Sequence, residues 1–175
     1  MIEVGRYALR TFHLNYASGA LGSLAWSRGN EHCWLDGTCT AECLRKEYSY
    51  TRYQAKGDCR LAAPPWHKAP HRACTCGIYG SLDLRGLERQ YGYEMELITA
   101  VIAAEGATLI GTIGLRTQYA RVVGYRANWP YRSYAQKQFV DAREFETDGE
   151  LLEAFHLPAD NAGIGAKALL PIRMR

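Results

Sequence analysis

The chain has 175 residues, 47% of them hydrophobic and 11% aromatic, which is enough to bury the core of one domain and argues against wholesale disorder. Its 21 basic and 18 acidic residues give a formal net charge of +3, far short of the basic stripe typical of a dedicated nucleic-acid binder. The longest mainly apolar run, residues 97–104, is too short to span a bilayer, and no signal-peptide pattern opens the chain, so we expect a cytoplasmic protein with no membrane partner.

The first predicted elements form a β-hairpin. Residues 7–16 alternate loosely between aromatic and polar side chains, which is typical of a strand, and residues 21–26 follow a turn at 17–20 as its partner. Residues 27–73 show little periodicity and contain four of the six cysteines. So long an irregular segment in a compact domain needs a clamp, and we expect that clamp to be a metal ion.

An amphipathic helix is predicted after residue 83. Apolar side chains recur there at steps of three and four, the period of a helix with one buried face. Ser81 is placed to cap its first turn and Gly106 its last, while Gly92 marks a position where it could break. The recurring apolar residues are Leu84, Leu87, Tyr91, Met95, Ile98 and Ile102.

Mainly β-structure is predicted beyond this helix. Residues 109–115 and 118–129 are rich in β-formers and punctuated by glycine, which predicts two or three antiparallel strands. Residues 134–145 add a further strand, and residues 169–172 a last edge strand.

A short helix over residues 148–155 is predicted near the C-terminus, with Thr147 placed to cap it. Together these elements predict the α+β class, built on an antiparallel β-sheet with one longer central helix and the short C-terminal helix. We expect residues 1–175 to form a single zinc-stabilised domain in which a metal ion clamps the irregular segment.

Ligands for a soft metal ion are concentrated between residues 67 and 76. Thiolate and imidazole groups are the ligands with which small proteins hold zinc. If residues 73–79 are extended, Cys74 and Cys76 point to the same side, where sulfurs about 3.8 Å apart can share one zinc ion. Two more ligands must come from the irregular segment, and the candidates are His67, His71, Cys33, Cys39, Cys43 and Cys59.

Two other arrangements of the six cysteines are open. Three disulfides would suit a small secreted protein, but this chain is long, lacks a signal peptide and would strain a bridge between Cys74 and Cys76. Two zinc sites would divide the candidates into Cys33, Cys39, Cys43 and Cys59 on one side and His67, His71, Cys74 and Cys76 on the other. Small proteins seldom hold two closed sites so close together without regular C-x-x-C pairs, so one site is favoured.

The stretch from His67 to Gly80 resembles a known pattern. Its residues H-K-A-P and C-T-C-G-I-Y-G are similar to the H-x-A-P…C-x-C-G-I-Y-A motif of small proteins of unassigned function from actinobacteria and their phages. An A-x-C element after a tryptophan, a G-Y-R-A-E element and a closing helix of that group are similar to residues 41–43, 124–128 and 151–158.

This resemblance implies one Cys₃His site formed by Cys43, His67, Cys74 and Cys76. The chain departs from the pattern at Gly80, at Asn128 and in an enlarged stretch between Cys43 and His67. The enlargement contains Cys59, which leaves an additional or substitute ligand open. A phage or actinobacterial origin is likewise an implication of the resemblance.

Catalysis by the metal is disfavoured. The chain lacks H-E-x-x-H and the H-x-E…P-C-x-x-C arrangement of nucleobase deaminases. Three thiolates make a zinc-bound water a poor acid, and thiolates committed to zinc are not available as nucleophiles. We therefore expect a structural zinc ion and no enzymatic activity.

A second surface could carry function. Arginine and aromatic residues interleave over residues 116–132, and such groups bind phosphates and stack on bases. The competing interpretation is a β-meander with buried aromatics and solvated arginines. The candidate nucleic-acid-binding residues are Arg116, Tyr119, Arg121, Tyr125, Arg126 and Trp129.

Three functional hypotheses follow. The first is a zinc-stabilised interaction module that binds a protein partner, in the host cytoplasm if the chain is phage-encoded. The second is a nucleic-acid-binding module that uses the arginine–aromatic face. The third is a zinc or thiol enzyme of unfamiliar type. The first is favoured.

Overall fold

The structure, a computed structural model, describes residues 6–15, 19–23, 34–43, 67–91 and 98–160. These residues form seven strands and three helices, which confirms the α+β class. In chain order they are β1 (Arg6–Asn15), β2 (Ala20–Ser23), β3 (Thr38–Thr40), β4 (Ile78–Ser81), α1 (Leu84–Tyr91), β5 (Ile98–Ile110), β6 (Gly114–Ala127), α2 (Arg132–Gln138), β7 (Arg143–Glu144) and α3 (Asp148–Ala154).

The strands form one sheet, antiparallel except between β6 and β7. β5 pairs with β1 on one edge and with β6 on the other. β4 pairs with β6 and meets β1 at Leu9 and Ser81, so the ladder β1–β5–β6–β4 returns to β1. Gly80 lies at this junction, where a Cβ would stand 2.6 Å from the Cβ of Ala8. Only glycine allows the strands to approach this closely.

Side chains from both faces of the sheet are buried. Alternate residues of β1 point to opposite faces, so Phe12 packs with Trp34 and Phe139 on one face while Leu9 packs with α1 and α3 on the other. Buried Gln138 accepts a hydrogen bond from the Leu21 amide at 2.7 Å and donates to the Trp34 carbonyl at 2.6 Å. The turn that leads into β3 is thereby fixed to α2.

Both predicted hairpin strands and the capped C-terminal helix are confirmed. β1 and β2 pair from Phe12↔Ser23 to Asn15↔Ala20. The Thr147 side chain accepts from the Glu150 amide, and Glu150 accepts from the Thr147 amide, which forms a complete capping box before α3.

The prediction of one long central helix is wrong, because α1 covers Leu84–Tyr91 and the residues from Ile98 to Ile110 form β5. Ile98 and Ile102 are buried on one face of this strand and Val101 on the other. A strand buried on both faces is a continuous apolar run, and such a run also contains the steps of three and four that suggest a helix. Gly106, expected as a C-cap, has φ +70° at an irregularity of the β5–β6 ladder.

Two smaller expectations also differ from the structure. Ser81 lies in β4, and the N-terminal cap of α1 is Asp83, whose carboxylate accepts from the Gly86 amide. Residues 134–145 were expected to form a strand, but α2 occupies residues 134–138 because Ala135 and Gln138 are buried at helical spacing, and only β7 at Arg143–Glu144 is extended. The strand expected at 169–172 lies outside the described residues.

Within the described part of the chain, every helix is too short or too polar to cross a bilayer.

Candidate metal centre

Strand register brings two distant loops together beside β6. β3 runs along β6 from Arg121 to Tyr119, and β4 continues along the same strand from Thr117 to Gly114. The end of β3 and the start of β4 therefore meet beside Gln118, whose carbonyl accepts from the Ala41 amide at 2.7 Å. The chain that leaves β3 contains Cys43, and the chain that enters β4 contains Cys74 and Cys76, so this junction collects cysteines 31 positions apart.

Four side chains converge at the junction. One potential ligand atom from each of Cys43, His67, Cys74 and Cys76 lies within 4.8 Å of the others. The Sγ atoms of Cys43 and Cys74 are 3.8 Å apart, and Nε2 of His67 is 3.3 Å from Sγ of Cys76. Cys43 and Cys74 are buried, whereas His67 and Cys76 are half-buried. The four residues lie close enough to hold one metal ion.

These distances fit a tetrahedral thiolate–imidazole site. Zn–S bonds of about 2.3 Å and Zn–N bonds of about 2.0 Å place tetrahedral sulfurs roughly 3.8 Å apart and sulfur about 3.5 Å from nitrogen. The separations of 3.8 and 3.3 Å are close to these values, and all four ligand atoms lie within 4.8 Å of one another. A disulfide needs sulfurs about 2.05 Å apart, so Cys43 and Cys74 are not bridged.

The pKa values of the Cys74 and Cys76 thiols are far apart. Burial opposes ionisation of Cys74, but hydrogen bonds from the Cys76 backbone and from the side chains of Cys76, Cys43 and His67 outweigh it and lower the pKa of Cys74 to about 7. Burial, followed by the neighbouring Cys74 and Cys43 thiols, raises the pKa of Cys76 to about 12. One thiolate thus forms readily, and a second beside it needs a cation.

The loop that carries Cys74 and Cys76 is held by its backbone carbonyls. The Arg116 guanidinium donates to the Cys74 carbonyl and, at 3.3 Å, to the Cys76 carbonyl. The Tyr79 hydroxyl donates to the Thr75 carbonyl at 2.5 Å, and burial raises the pKa of Tyr79, which keeps this donor protonated. Three consecutive carbonyls of the loop are therefore bound to side chains.

The expectation of an extended strand through both cysteines is wrong. β4 begins only at Ile78, and Cys74 instead lies in a turn, with its amide bonded to the His71 carbonyl at 3.0 Å. Gly77 has φ +123°, a conformation that ends any continuous strand through this point. The two sulfurs are therefore brought together by the bends of a loop and not by the alternating side-chain directions of a strand.

The other candidate ligands lie elsewhere. Cys39 is buried among the hydrophobic residues of the sheet, and its thiol is 3.9 Å from the Thr40 carbonyl. His71 stacks on His67 with ring centroids 4.8 Å apart, and its Nδ1 accepts from the Ala73 amide at 3.2 Å. Neither belongs to the four-residue group. Cys33 and Cys59 lie outside the described residues.

The candidate nucleic-acid-binding residues are spread over different environments. Tyr125 is buried against Phe139, and Arg116 is directed to the metal-centre loop. Arg121 is exposed and forms an ion pair with Glu105 at 3.5 Å. Tyr119 is exposed, Arg126 is half-buried, and Trp129 is almost fully exposed beyond the end of β6. Nucleic-acid binding by this stretch stays a prediction.

The roles of Arg116 and Tyr79 at the centre were missed in the sequence. Arg116 is 40 positions from Cys76, and no local motif links the two residues. The only signal that could have joined them is the register of β4 on β6, which pairs Tyr79 with Arg116. That register is a tertiary property, so periodicity within either segment does not contain it.

No protein-family model, no curated protein and no solved structure matches this chain significantly. Function is therefore inferred from the geometry of the metal centre and the surrounding surface.

Zinc affinity is expected to fall with decreasing pH, and to fall more steeply below about pH 7. Metal binding must displace the Cys76 proton throughout the neutral range, because the pKa of this thiol is about 12. The Cys74 proton is displaced in addition only below its pKa of about 7. Each displaced proton contributes roughly tenfold per pH unit. Chelator competition between pH 6 and 8.5 measures this slope, and a pH-independent affinity would contradict the thiolate ligand set.

Proposed function

We propose that this protein is a non-enzymatic interaction module whose fold is stabilised by zinc. The observation that carries the proposal is the closed donor set, in which three cysteines and one histidine supply all four positions of a tetrahedral site. Catalytic zinc sites keep one position open for water or substrate, whereas structural sites are filled by protein ligands. Among the described residues, no carboxylate joins these four side chains as a ligand.

The location of the centre supports a structural role. It ties the chain that leaves β3 to the chain that enters β4, and these two stretches are far apart in sequence. Cys43, Cys74 and Cys76 form a small cluster with Ala73 that is separate from the two hydrophobic clusters of the sheet. Because the described residues of this cluster bury little apolar area, a bound metal ion would add substantially to the stability of this junction.

Exposed apolar side chains support a protein partner. Trp129 is 89% exposed and Val140 is 70% exposed, and the two residues flank α2 at its opposite ends. Leu35 is also exposed. It lies in the same turn as Gly37, which packs against Phe139, the residue before Val140. Tryptophan is one of the residues enriched among the energetically dominant contacts of protein interfaces. The resemblance to phage proteins makes a host protein the proposed partner.

Metal and thiol analysis of the purified chain tests the zinc part of this proposal. We expect one zinc ion per chain and two to three reactive thiols, because the proposed site leaves Cys33, Cys39 and Cys59 outside its ligand set and Cys39 is buried. Two zinc ions per chain would support the two-site arrangement. Absence of both metal and reactive thiols would mean disulfides and would refute the proposal.

Affinity capture with a surface variant tests the partner. We expect the unmodified chain and an Ile113→Ala control to retain the same protein after nuclease treatment, and Trp129→Ala to lose it. Both replaced residues are exposed apolar side chains, so neither change should unfold the chain. A complex that disappears with nuclease and with rising salt would instead support the nucleic-acid alternative.

A further inference from the structure

We infer that Arg116 is the positioning residue of the metal centre, and that it sets how tightly the protein retains zinc. This inference rests on the proposed zinc function and assigns a residue outside the ligand set to that site. Arg116 acts in two ways: it holds the backbone of the loop that carries Cys74 and Cys76, and it supplies a positive charge beside the thiolates.

The first contribution is geometric. One guanidinium group of Arg116 donates to the carbonyls of both Cys74 and Cys76, so the backbone on either side of Thr75 is fixed to β6. The Arg116 stem also packs under the loop, since a Cβ on Gly77 would stand 3.2 Å from the Cβ of Arg116. A loop held at these points keeps its two sulfurs near their metal-binding separation before the ion arrives.

The second contribution is electrostatic. Three thiolates and one neutral imidazole around a dication leave one surplus negative charge in a largely buried site. Arg116 is half-buried beside this site, with its guanidinium carbon 5.8 Å from the centroid of the Tyr79 ring. Lys68 and Arg72, the other cations of the loop, are exposed, and solvent weakens the effect of their charges. Arg116 therefore offers the less screened charge.

Lysine should replace arginine only in part. The ammonium group retains the charge, but both bonds come from the Nη1 atom of Arg116, and a lysine side chain ends one bond short of that atom. Glutamine retains a polar donor and loses the charge. The pair of variants Arg116→Lys and Arg116→Gln thus separates the geometric contribution from the electrostatic one.

The experiment is a measurement of Zn²⁺ affinity by chelator competition for both variants, the unmodified chain and an Arg121→Gln control. Arg121 lies on the same strand as Arg116, but its side chain is 47% exposed and paired with Glu105. We expect Arg116→Gln to weaken Zn²⁺ binding roughly 10–100-fold, the usual effect of losing a group that orients metal ligands. Arg116→Lys should weaken it less, and Arg121→Gln should leave it unchanged. Co²⁺-loaded samples of all four chains should show the same thiolate charge-transfer absorption.

Specific outcomes would overturn the inference. An unchanged Zn²⁺ affinity of Arg116→Gln would do so. An equal loss of melting temperature in the metal-free and Zn²⁺-bound forms of that variant would also do so, because it would indicate a purely structural role. If Arg116→Gln does not fold, an unchanged affinity in Arg116→Lys would overturn it. An unmodified chain that binds no Zn²⁺ would instead refute the proposed function itself, so the two failures are distinguishable.

Discussion

Replacement of Cys74 by alanine is expected to abolish zinc binding and to lower the melting temperature of the zinc-loaded protein by about 10 °C. A ligand present at 1,000 times its Kd stabilises the folded state by about 4 kcal/mol. In a domain of this length each kcal/mol corresponds to roughly 2–4 °C. The variant loses that contribution because three protein ligands with one fewer thiolate hold zinc far more weakly. Thermal unfolding with and without a chelator measures the effect.

Cys39→Ala is the matched control for this prediction. The change in chemistry is identical, and the two thiols are buried to nearly the same extent, with relative exposures of 8% for Cys39 and 7% for Cys74. Cys39 packs among the core residues of the sheet, so its loss should cost about 1 kcal/mol whether or not zinc is present. A chelator should therefore destabilise Cys39→Ala as much as the unmodified chain and leave Cys74→Ala unaffected. Equal responses of both variants to the chelator would refute the assignment of Cys74 as a ligand.

Much of the ligand chemistry could be predicted from the sequence, because thiolates and imidazoles at high local density have few other uses in a chain of this type. Cys74 and Cys76 were identified from their spacing, which left both His67 and His71 open as further ligands. Only the resemblance to other proteins selected His67 over His71, and Cys43 over Cys39. The structure separates the latter two cysteines because Cys39 lies within β3, with its side chain in the core, while Cys43 lies beyond the end of that strand.

The parts of the fold that could not be predicted depend on tertiary pairing. Residues from Ile98 to Ile102 contain an apolar pattern compatible with helix and strand, and pairing with β1 and β6 selects the strand. The loop at Cys74 is similar: a C-x-C spacing permits an extended chain, but the turn at His71 and the positive φ of Gly77 determine where the sulfurs point. Contacts across 40 residues, such as those from Arg116, have no local signature.

Removal of zinc from the unmodified chain is expected to open the junction locally and to leave the sheet folded. The two hydrophobic clusters contain the strands and helices of the domain, and the metal centre lies outside both clusters. Zinc at 100 times its Kd contributes about 2.7 kcal/mol to the ordered junction, so its loss should accelerate amide exchange there by about 100-fold.

Hydrogen–deuterium exchange with and without a chelator checks this expectation at specific amides. The amides of Ala41 and Cys74 are the reporters for the junction, since the first bonds the chain that leaves β3 to the Gln118 carbonyl of β6 and the second closes the turn at His71. The amide of Val101, a fully buried residue of β5, is the control and should exchange slowly in both states. In the metal-free chain, exchange at Ala41 and Cys74 as slow as that at Val101 would mean that the junction opens only when the whole domain unfolds, and no acceleration at Ala41 and Cys74 would mean that the loops hold together without zinc. Only faster exchange at the junction than at Val101 in the metal-free chain agrees with a metal ion that joins the end of β3 to the start of β4.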